Sequence, residues 1–242
     1  MLLYGCYRTP KDAPEQMNIK SCYQLGRFDG KTFTPTSEPR SAHLGPNYYA
    51  ALVFQNDPKG LPIMMGWAQG TRFPGEPFNQ CASVPLLMQL KAINGEDALC
   101  FEPAGEVDAL RGEPLIKLSN VSVTEAKTKL ATLAKDAALD VVVRFRPAAS
   151  SRVNVTIRNI SFGYDAATNT LNRGQASNLI HPGTTIDARF LIDSGIVESF
   201  WNGGEAAYSV ASLHTDAGPA FAIEGDAVIE ELTVYPMANI WK

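Results

Sequence analysis

The sequence predicts an all-β protein. Short segments in which apolar and polar residues alternate recur along most of the 242 residues, and such alternation is the signature of half-buried strands. Turn-forming Gly, Pro, Asn and Asp residues separate these segments at the spacing typical of β-sandwiches. The clearest case is 187–205, DARFLIDSGIVESFWNGGE, where two alternating segments flank Ser194-Gly195. This stretch predicts an antiparallel hairpin.

The first third of the chain predicts a series of hairpins. An apolar strand is expected at 2–6, a proline-rich loop over 8–15, and a strand over 21–28 that ends in the turn Asp29-Gly30-Lys31. Segments 47–54 and 61–69 are continuous apolar runs, so they predict a hairpin that is buried on both faces.

Residues 70–83, GTRFPGEPFNQCAS, contain two prolines and two glycines and predict a linker. The domain organisation expected from this composition is residues 1–70, a linker over 71–83, and a second domain over 84–242.

The second domain is expected to be a β-sandwich. Strands are predicted over 84–92, 98–102, 115–118, 139–146, 154–164, 220–224 and 227–235, in addition to the hairpin of 187–205. Segment 123–138 is the one helix-favouring stretch, because good helix formers place its leucines and alanines near one face. Glu198 and Glu205 are predicted to be structural or solvent-facing residues. Trp201 is predicted to pack in the core, with an exposed platform for stacking as the alternative.

Composition excludes several classes of function. The net charge of −4 is spread without a basic stripe, which argues against nucleic-acid binding. No apolar run approaches the ~20 residues of a membrane span, and the N-terminal residues lack the pattern of a secretory signal.

Metal and cofactor sites are not predicted. The histidines stand apart from one another, and the cysteines form no metal-binding spacing. Buried free thiols are the favoured interpretation of the cysteines, and a single Cys6–Cys22 bridge is the alternative.

Aromatic and amide side chains cluster near the ends of the two apolar runs at 47–69. Asn47, Tyr48, Tyr49 and Trp67 are of the types that bind sugars, since rings pack on the C–H face of a sugar and polar groups bond its hydroxyls. Packing in the core of a sheet is the alternative.

Four blocks, in this order, resemble the fructan-cleaving enzymes of glycoside hydrolase family 32, which include levanases, inulinases and invertases. They are YQLGRFDGKTF at 23–33, LGPNYYAALVF followed by LPIMMGWAQ at 44–69, FPGEPFNQCASVPLLMQL at 73–90, and FLIDSGIVESFWNGGE at 190–205. The resemblance implies a partial β-propeller, formed by its last one to two blades, followed by a C-terminal β-sandwich.

The resemblance also implies which chemistry to expect. Family members are retaining glycosidases that act through carboxylates, and their carboxylate motifs come before the FDGKTF hairpin. This chain starts just ahead of that hairpin, so no catalytic residue is predicted and the chain alone is expected to be inactive. Tyr49 and Trp67 match positions that line the fructose pocket, and Asn47 stands where the family usually has Asp. These three are the predicted substrate-binding residues, for a fructan or a sucrose-like carbohydrate.

Asp57 lies in a segment that resembles the family's nucleophile motif but is not predicted to be the nucleophile. The segment FQNDPKG at 54–60 is similar to the family's nucleophile motif WMNDPNG, but it falls between two predicted strands, where Asn, Asp, Pro and Gly favour a turn. Asp57 is therefore predicted to be a turn residue.

One or two blades cannot close a propeller, so apolar blade faces are expected to need a cover. The expected covers are the missing N-terminal portion of a longer protein, another chain in an oligomer, or the sandwich itself. The alternative to a hydrolase portion is a non-catalytic carbohydrate-binding or interaction module. Family members are mostly extracellular or periplasmic, and the sequence leaves the location of this chain open.

Overall fold

The protein is described from a computed structural model that covers residues 1–6, 20–93, 95–173, 176–179 and 185–240. The loop predicted over 8–15 and His181 lie outside these residues. Within them the protein is almost entirely β-structure, as the sequence predicts, and it is arranged in three stacked layers of sheet.

The N-terminal layer contains ten strands in three sheets, ordered β1-β2-β5, β3-β4 and β10-β9-β7-β6, with β8 paired to β7. These strands are β1 (Leu2–Cys6), β2 (Lys20–Gln24), β3 (Gly26–Phe28), β4 (Phe33–Pro35), β5 (Arg40–Ser41), β6 (Tyr49–Val53), β7 (Ile63–Ala68), β8 (Cys81–Ala82), β9 (Leu86–Ile93) and β10 (Glu96–Pro103). A 3₁₀ helix, Gly105–Leu110, follows β10.

The C-terminal sandwich is made of two antiparallel sheets, ordered β11-β21-β12-β17-β18-β19 and β16-β15-β14-β13-β20. Its strands are β11 (Ile116–Ser122), β12 (Leu139–Pro147), β13 (Arg152–Ile157), β14 (Ile160–Asp165), β15 (Thr170–Arg173), β16 (Ala176–Leu179), β17 (Ile186–Ile192), β18 (Ile196–Trp201), β19 (Ala206–Ala211), β20 (Ala222–Gly225) and β21 (Ala227–Pro236).

The hairpin predicted at 187–205 is β17 and β18, which pair antiparallel from Ala188–Trp201 to Ile192–Val197. Both faces of β18 are buried, because each face packs in a different hydrophobic core. Trp201 lies in the core between the two sandwich sheets, and Phe200 lies in the core between the sandwich and the N-terminal layer. Trp201 is 1% exposed, so it packs in the core and offers no platform for stacking.

The strand predicted over 154–164 is divided into β13 and β14 by a turn at Arg158 and Asn159. Arg158 has a φ of +53°, in the left-handed region. This turn could not be predicted from the sequence, because the position is not a glycine. The buried guanidinium of Arg158 donates hydrogen bonds to the carbonyl oxygens of Asp193 at 2.9 Å and Ser212 at 2.7 Å, which fixes the turn against two loops.

The predicted helix is present but shorter than expected. Helix α1 spans Val123–Leu130, and the Ser122 hydroxyl accepts a hydrogen bond from the Glu125 backbone N–H at 3.2 Å as its N-cap. Val123, Ala126 and Leu130 are its buried residues. The helix ends early because the chain must turn back to bring Leu139 into β12, where that side chain joins the sandwich core.

The segment predicted as a linker contains β8, and the strands on both sides of it belong to one sheet. Ile63 and Met64 of β7 pair with Leu87 and Leu86 of β9. A division that leaves every sheet intact therefore falls between β10 and β11, later than the boundaries at 70 and 84. The domain boundaries themselves stay a prediction.

The cysteines divide into two groups. Cys22 is disulfide-bonded, whereas Cys81 and Cys100 are free thiols. The side chain of Cys6 lies outside the described residues, so its pairing with Cys22 stays a prediction.

Candidate functional site

An aromatic pair on the β6–β7 hairpin defines the candidate site. Tyr49 lies opposite Trp67, but three residues later Leu52 lies opposite Met65, so β6 carries one extra residue between these pairs. Ala50 absorbs it as a β-bulge, with a φ of +48°. Without the bulge Tyr49 and Leu52 would point to opposite faces; with it, both stand on the face that carries Trp67 and Met65.

The two rings of the pair lie close together but are not coplanar. The ring centroids of Tyr49 and Trp67 are 6.3 Å apart and their planes are inclined by 46°. Trp67 is 39% exposed. The ring of Tyr49 is partly buried and lies against Gly5 of β1, where an added Cβ would sit 3.6 Å from the ring. The structure therefore brings together two of the three predicted substrate-binding residues.

An open groove of about 400 Å³ runs beside Trp67. Its walls are apolar, with two amide side chains at one rim, and the lining residues are Leu52, Phe54, Met65, Gly66, Trp67, Asn79, Gln80, Cys81 and Ala82. Asn79 and Gln80 were not among the predicted site residues. They follow the prolines of the 70–83 segment, whose composition indicated only a linker.

The lining of this groove supplies no strong acid or base. None of the described residues that form it is a carboxylate or a histidine. The remaining titratable group is the Cys81 thiol, which lies 3.5 Å from the Thr71 hydroxyl. Burial raises the pKa of this thiol, so the uncharged form, a poor nucleophile, is favoured. The groove can bind an apolar face and offer amide hydrogen bonds, but its lining cannot perform acid–base chemistry.

Asn47 is not part of this lining. Its amide nitrogen donates to the Gln69 carbonyl oxygen at 2.6 Å, and its amide oxygen accepts from the Ala211 N–H at 2.9 Å. It thus joins the end of β7 to β19 across the boundary between the N-terminal layer and the sandwich. Its substrate-binding role stays a prediction.

Asp57 occupies the loop between β6 and β7. Its Oδ2 accepts hydrogen bonds from the backbone N–H groups of Lys59 and Leu61, both at 2.9 Å. These bonds close the loop in the way that Asx turns do. The contacts agree with the predicted turn role, because Oδ2 is held by two backbone N–H groups of the same loop.

Two other kinds of site are not seen in the described part of the chain. There, no three histidine, cysteine or acidic side chains come together as a metal site. No described helix has the length and apolar composition needed to cross a membrane.

Comparisons with known proteins agree with this architecture. Residues 2–103 match the model of the glycosyl hydrolases family 32 N-terminal domain, a stretch that ends at the last strand of the N-terminal layer. The extracellular exo-inulinase inuE of Aspergillus niger is 25% identical over 178 residues, which cover 65% of this chain and 33% of that protein. The levanase of Bacillus sp. (strain L7) is 25% identical over 228 residues, or 82% of this chain and 25% of that protein.

Solved structures share the fold. The exo-inulinase from Aspergillus awamori superposes with a TM-score of 0.72 at 20% identity, covering 96% of this chain and 52% of that one. The fructofuranosidase from Schwanniomyces occidentalis, complexed with fructose, gives a TM-score of 0.70 at 13% identity, covering 98% and 59%. The fold is thus that of a β-propeller portion joined to a β-sandwich. The comparisons therefore place the likeness to glycosyl hydrolases family 32 on residues 2–103, and the chain spans between a third and six tenths of the length of these three proteins from fungi and yeast.

Proposed function

We propose that this chain is the C-terminal portion of a fructan-hydrolase-like glycosidase. It contributes one aromatic wall of a sugar pocket, formed by Tyr49 and Trp67, and carries none of the catalytic carboxylates. The observation that supports this most is the groove beside Trp67, whose lining has aromatic and amide side chains but no acid or base.

Retaining hydrolysis needs two carboxyl groups about 5–5.5 Å apart on opposite sides of the scissile bond. Two carboxylates of this chain that could be considered for such a pair are already engaged in hydrogen bonds and ion pairs. Asp57 is held by loop amides, and the buried Asp140 accepts from Arg111 and Arg189, each at 2.7 Å. These contacts favour structural roles over catalytic ones.

The test is an assay for fructose release from sucrose, inulin and levan by the purified chain. We expect no release above the buffer background, since neither carboxylate of a retaining pair is in place. Asp57→Asn is assayed beside Asp29→Asn, a matched control whose carboxylate also accepts two backbone N–H bonds in a hairpin turn. Robust release by the wild type that is lost only in Asp57→Asn would overturn the proposal.

We further propose that additional polypeptide from the propeller covers the exposed face of the β6–β7 hairpin. Leu52 is 75% exposed and Phe54 50% exposed on this face, and β6 is the edge strand of its sheet. An apolar face with an open edge favours association. The chain covers 52% of the Aspergillus awamori structure, which supports a cover supplied by polypeptide outside this sequence.

A non-catalytic carbohydrate-binding module is the second candidate, and the exposure of Trp67 favours it. In this case the isolated chain binds fructan by itself. Titration calorimetry with inulin would then give a measurable heat that Trp67→Ala abolishes. Phe28→Ala, which removes an exposed ring on the separate β3–β4 hairpin, should bind as the wild type does. Equal binding by both variants would exclude Trp67 as the contact, and no binding by the wild type would exclude the module.

A further inference from the structure

A buried polar cluster lies where the N-terminal layer meets the sandwich. Its centre is Glu198 of β18, a carboxylate that is 2% exposed. Its Oε2 accepts a hydrogen bond from the Val84 N–H at 2.9 Å, and its Oε1 accepts one from the Ser209 hydroxyl at 2.8 Å. Val84 precedes β9 of the N-terminal layer, whereas Ser209 is in β19, so this one side chain bonds to both layers.

His43 extends the cluster, and its tautomer determines which way the hydrogen bonds of the cluster run. The Gly45 N–H donates to its Nδ1 at 3.1 Å, so the neutral ring carries its proton on Nε2. This Nε2 lies 3.4 Å from the Ser209 oxygen. The imidazole also stacks on Tyr48 with ring centroids 4.1 Å apart. A relay therefore runs from His43 through the Ser209 hydroxyl to Glu198.

The segment that carries His43 is itself part of the junction. The backbone of 44–47 donates to β19, from Leu44 to the Ala207 carbonyl at 2.9 Å and from Asn47 to the Ser209 carbonyl at 3.3 Å. Gly45 lies so close to β19 that an added Cβ would be 2.2 Å from the Ser209 nitrogen. The relay thus sits beneath the backbone contacts that join the two layers.

Among the described residues, the hydrogen-bond donors to Glu198 are the neutral groups of Val84 and Ser209, and none is a cationic side chain. Burial raises its pKa to about 7, the bonds from Val84 and Ser209 lower it in part, and the charge of Asp193 raises it. The titratable groups that face it are His43 and Tyr48 from the 42–48 segment, Cys81 from β8 and Asp193 from the β17–β18 turn. Ionised, this carboxylate is a buried charge that two hydrogen bonds only partly satisfy.

We propose that Glu198 is a pH-dependent latch between the N-terminal layer and the sandwich. The junction is tightest when this carboxyl group is protonated, and it weakens as the group ionises, because opening the junction returns the charge to water. This role does not depend on whether the aromatic wall binds sugar.

The direction follows from linkage. The pKa of the carboxyl group is 4.5 in the exposed reference state and about 7 when it is buried. Below 4.5 both states hold the proton and the stabilisation is complete. As the pH rises, the opened state loses its proton first, so the stabilisation falls until the buried group has also ionised, and it is gone above about 7.

The test is hydrogen exchange of the full chain, followed by mass spectrometry from about pH 4 to about pH 8.5 and corrected for the intrinsic exchange rate. We expect opening at 42–48, 81–85 and 206–211 to increase by up to about tenfold per pH unit between the two pKa values, and then to level off. Strand β12 in the sandwich is the internal reference. Glu198→Gln should show no such rise, whereas the exposed Glu113→Gln should behave as the wild type.

An equal pH dependence in Glu198→Gln and the wild type would overturn the proposal and assign the effect to another group, such as His43. Ser209→Ala is the second variant, for use even if Glu198→Gln does not fold. It removes a donor that favours the ionised carboxylate, so the plateau should move to higher pH. An unmoved plateau in Ser209→Ala would also contradict the latch.

Discussion

At the scale of single residues, two short polar side chains near the candidate site bond to the backbone. Asp57 closes a loop, and Asn47 joins β7 to β19. The turn role of Asp57 was predictable because Asn-Asp-Pro-Lys-Gly has a local preference. The contacts of Asn47 were not, since its partners lie 22 and 164 residues away and no local pattern encodes them.

Asn47→Asp should destabilise the protein by about 1–3 kcal/mol at neutral pH. The substitution retains the acceptor for Ala211 but places a carboxylate oxygen where the amide nitrogen now donates to the Gln69 carbonyl at 2.6 Å. Protonation would restore a donor, so the loss should shrink as the pH falls below the carboxyl pKa. Urea unfolding at two pH values measures it. Asn79→Asp, at an exposed loop position, is the matched control. Equal stability of Asn47→Asp and the wild type would show that the bridge does not hold the two layers.

At the scale of elements, β6 and β7 form the predicted hairpin, but their predicted burial on both faces is wrong. The face of Leu52 and Phe54 is exposed, because β6 is an edge strand and no described strand covers that face. The bulge at Ala50 was also not predictable, since alanine gives no signal for a left-handed conformation. The bulge nevertheless determines that Tyr49 stands beside Trp67.

Leu52→Ser should reduce self-association of the isolated chain while changing the free energy of unfolding by less than about 0.5 kcal/mol. The reason is that Leu52 is largely exposed on an uncovered apolar face. Leu115→Ser is a control, because Leu115 is 55% exposed but precedes the sandwich strand β11. Light scattering at increasing concentration gives the association state. A greater effect of Leu115→Ser than of Leu52→Ser would place the association surface elsewhere.

At the scale of the whole molecule, the sequence predicted the sandwich and most of its strands, because those strands alternate and their turns are marked. Strands β15, β16 and β19 were not among the predicted ones. The membership of β9 and β10 in the N-terminal sheet was harder to predict. Prolines and glycines at 70–83 indicate a break between domains, yet β8 lies within this segment, β9 follows it, and both pair with β7. The proline and glycine content of a segment indicates where the chain turns, whereas the sheet to which a strand belongs depends on pairing with strands distant in sequence.

The burial of Glu198 could not be predicted from the sequence either. Alternation within β18 places the Glu198 side chain on the other face of the strand from Val197 and Trp201. A polar residue on that face predicts a face exposed to solvent. A second core covers that side here, because the N-terminal layer packs against β17–β19. Only the stacking of three layers reveals that both faces of β18 are internal and that this carboxylate is buried.

An assay of fructose release from inulin by the purified chain distinguishes an inactive portion from a working glycosidase. We expect no release by the chain alone, because the groove beside Trp67 has no acid or base in its described lining. Fructose release that depends on enzyme concentration and disappears in Asp57→Asn, but not in Asp29→Asn, would contradict this expectation.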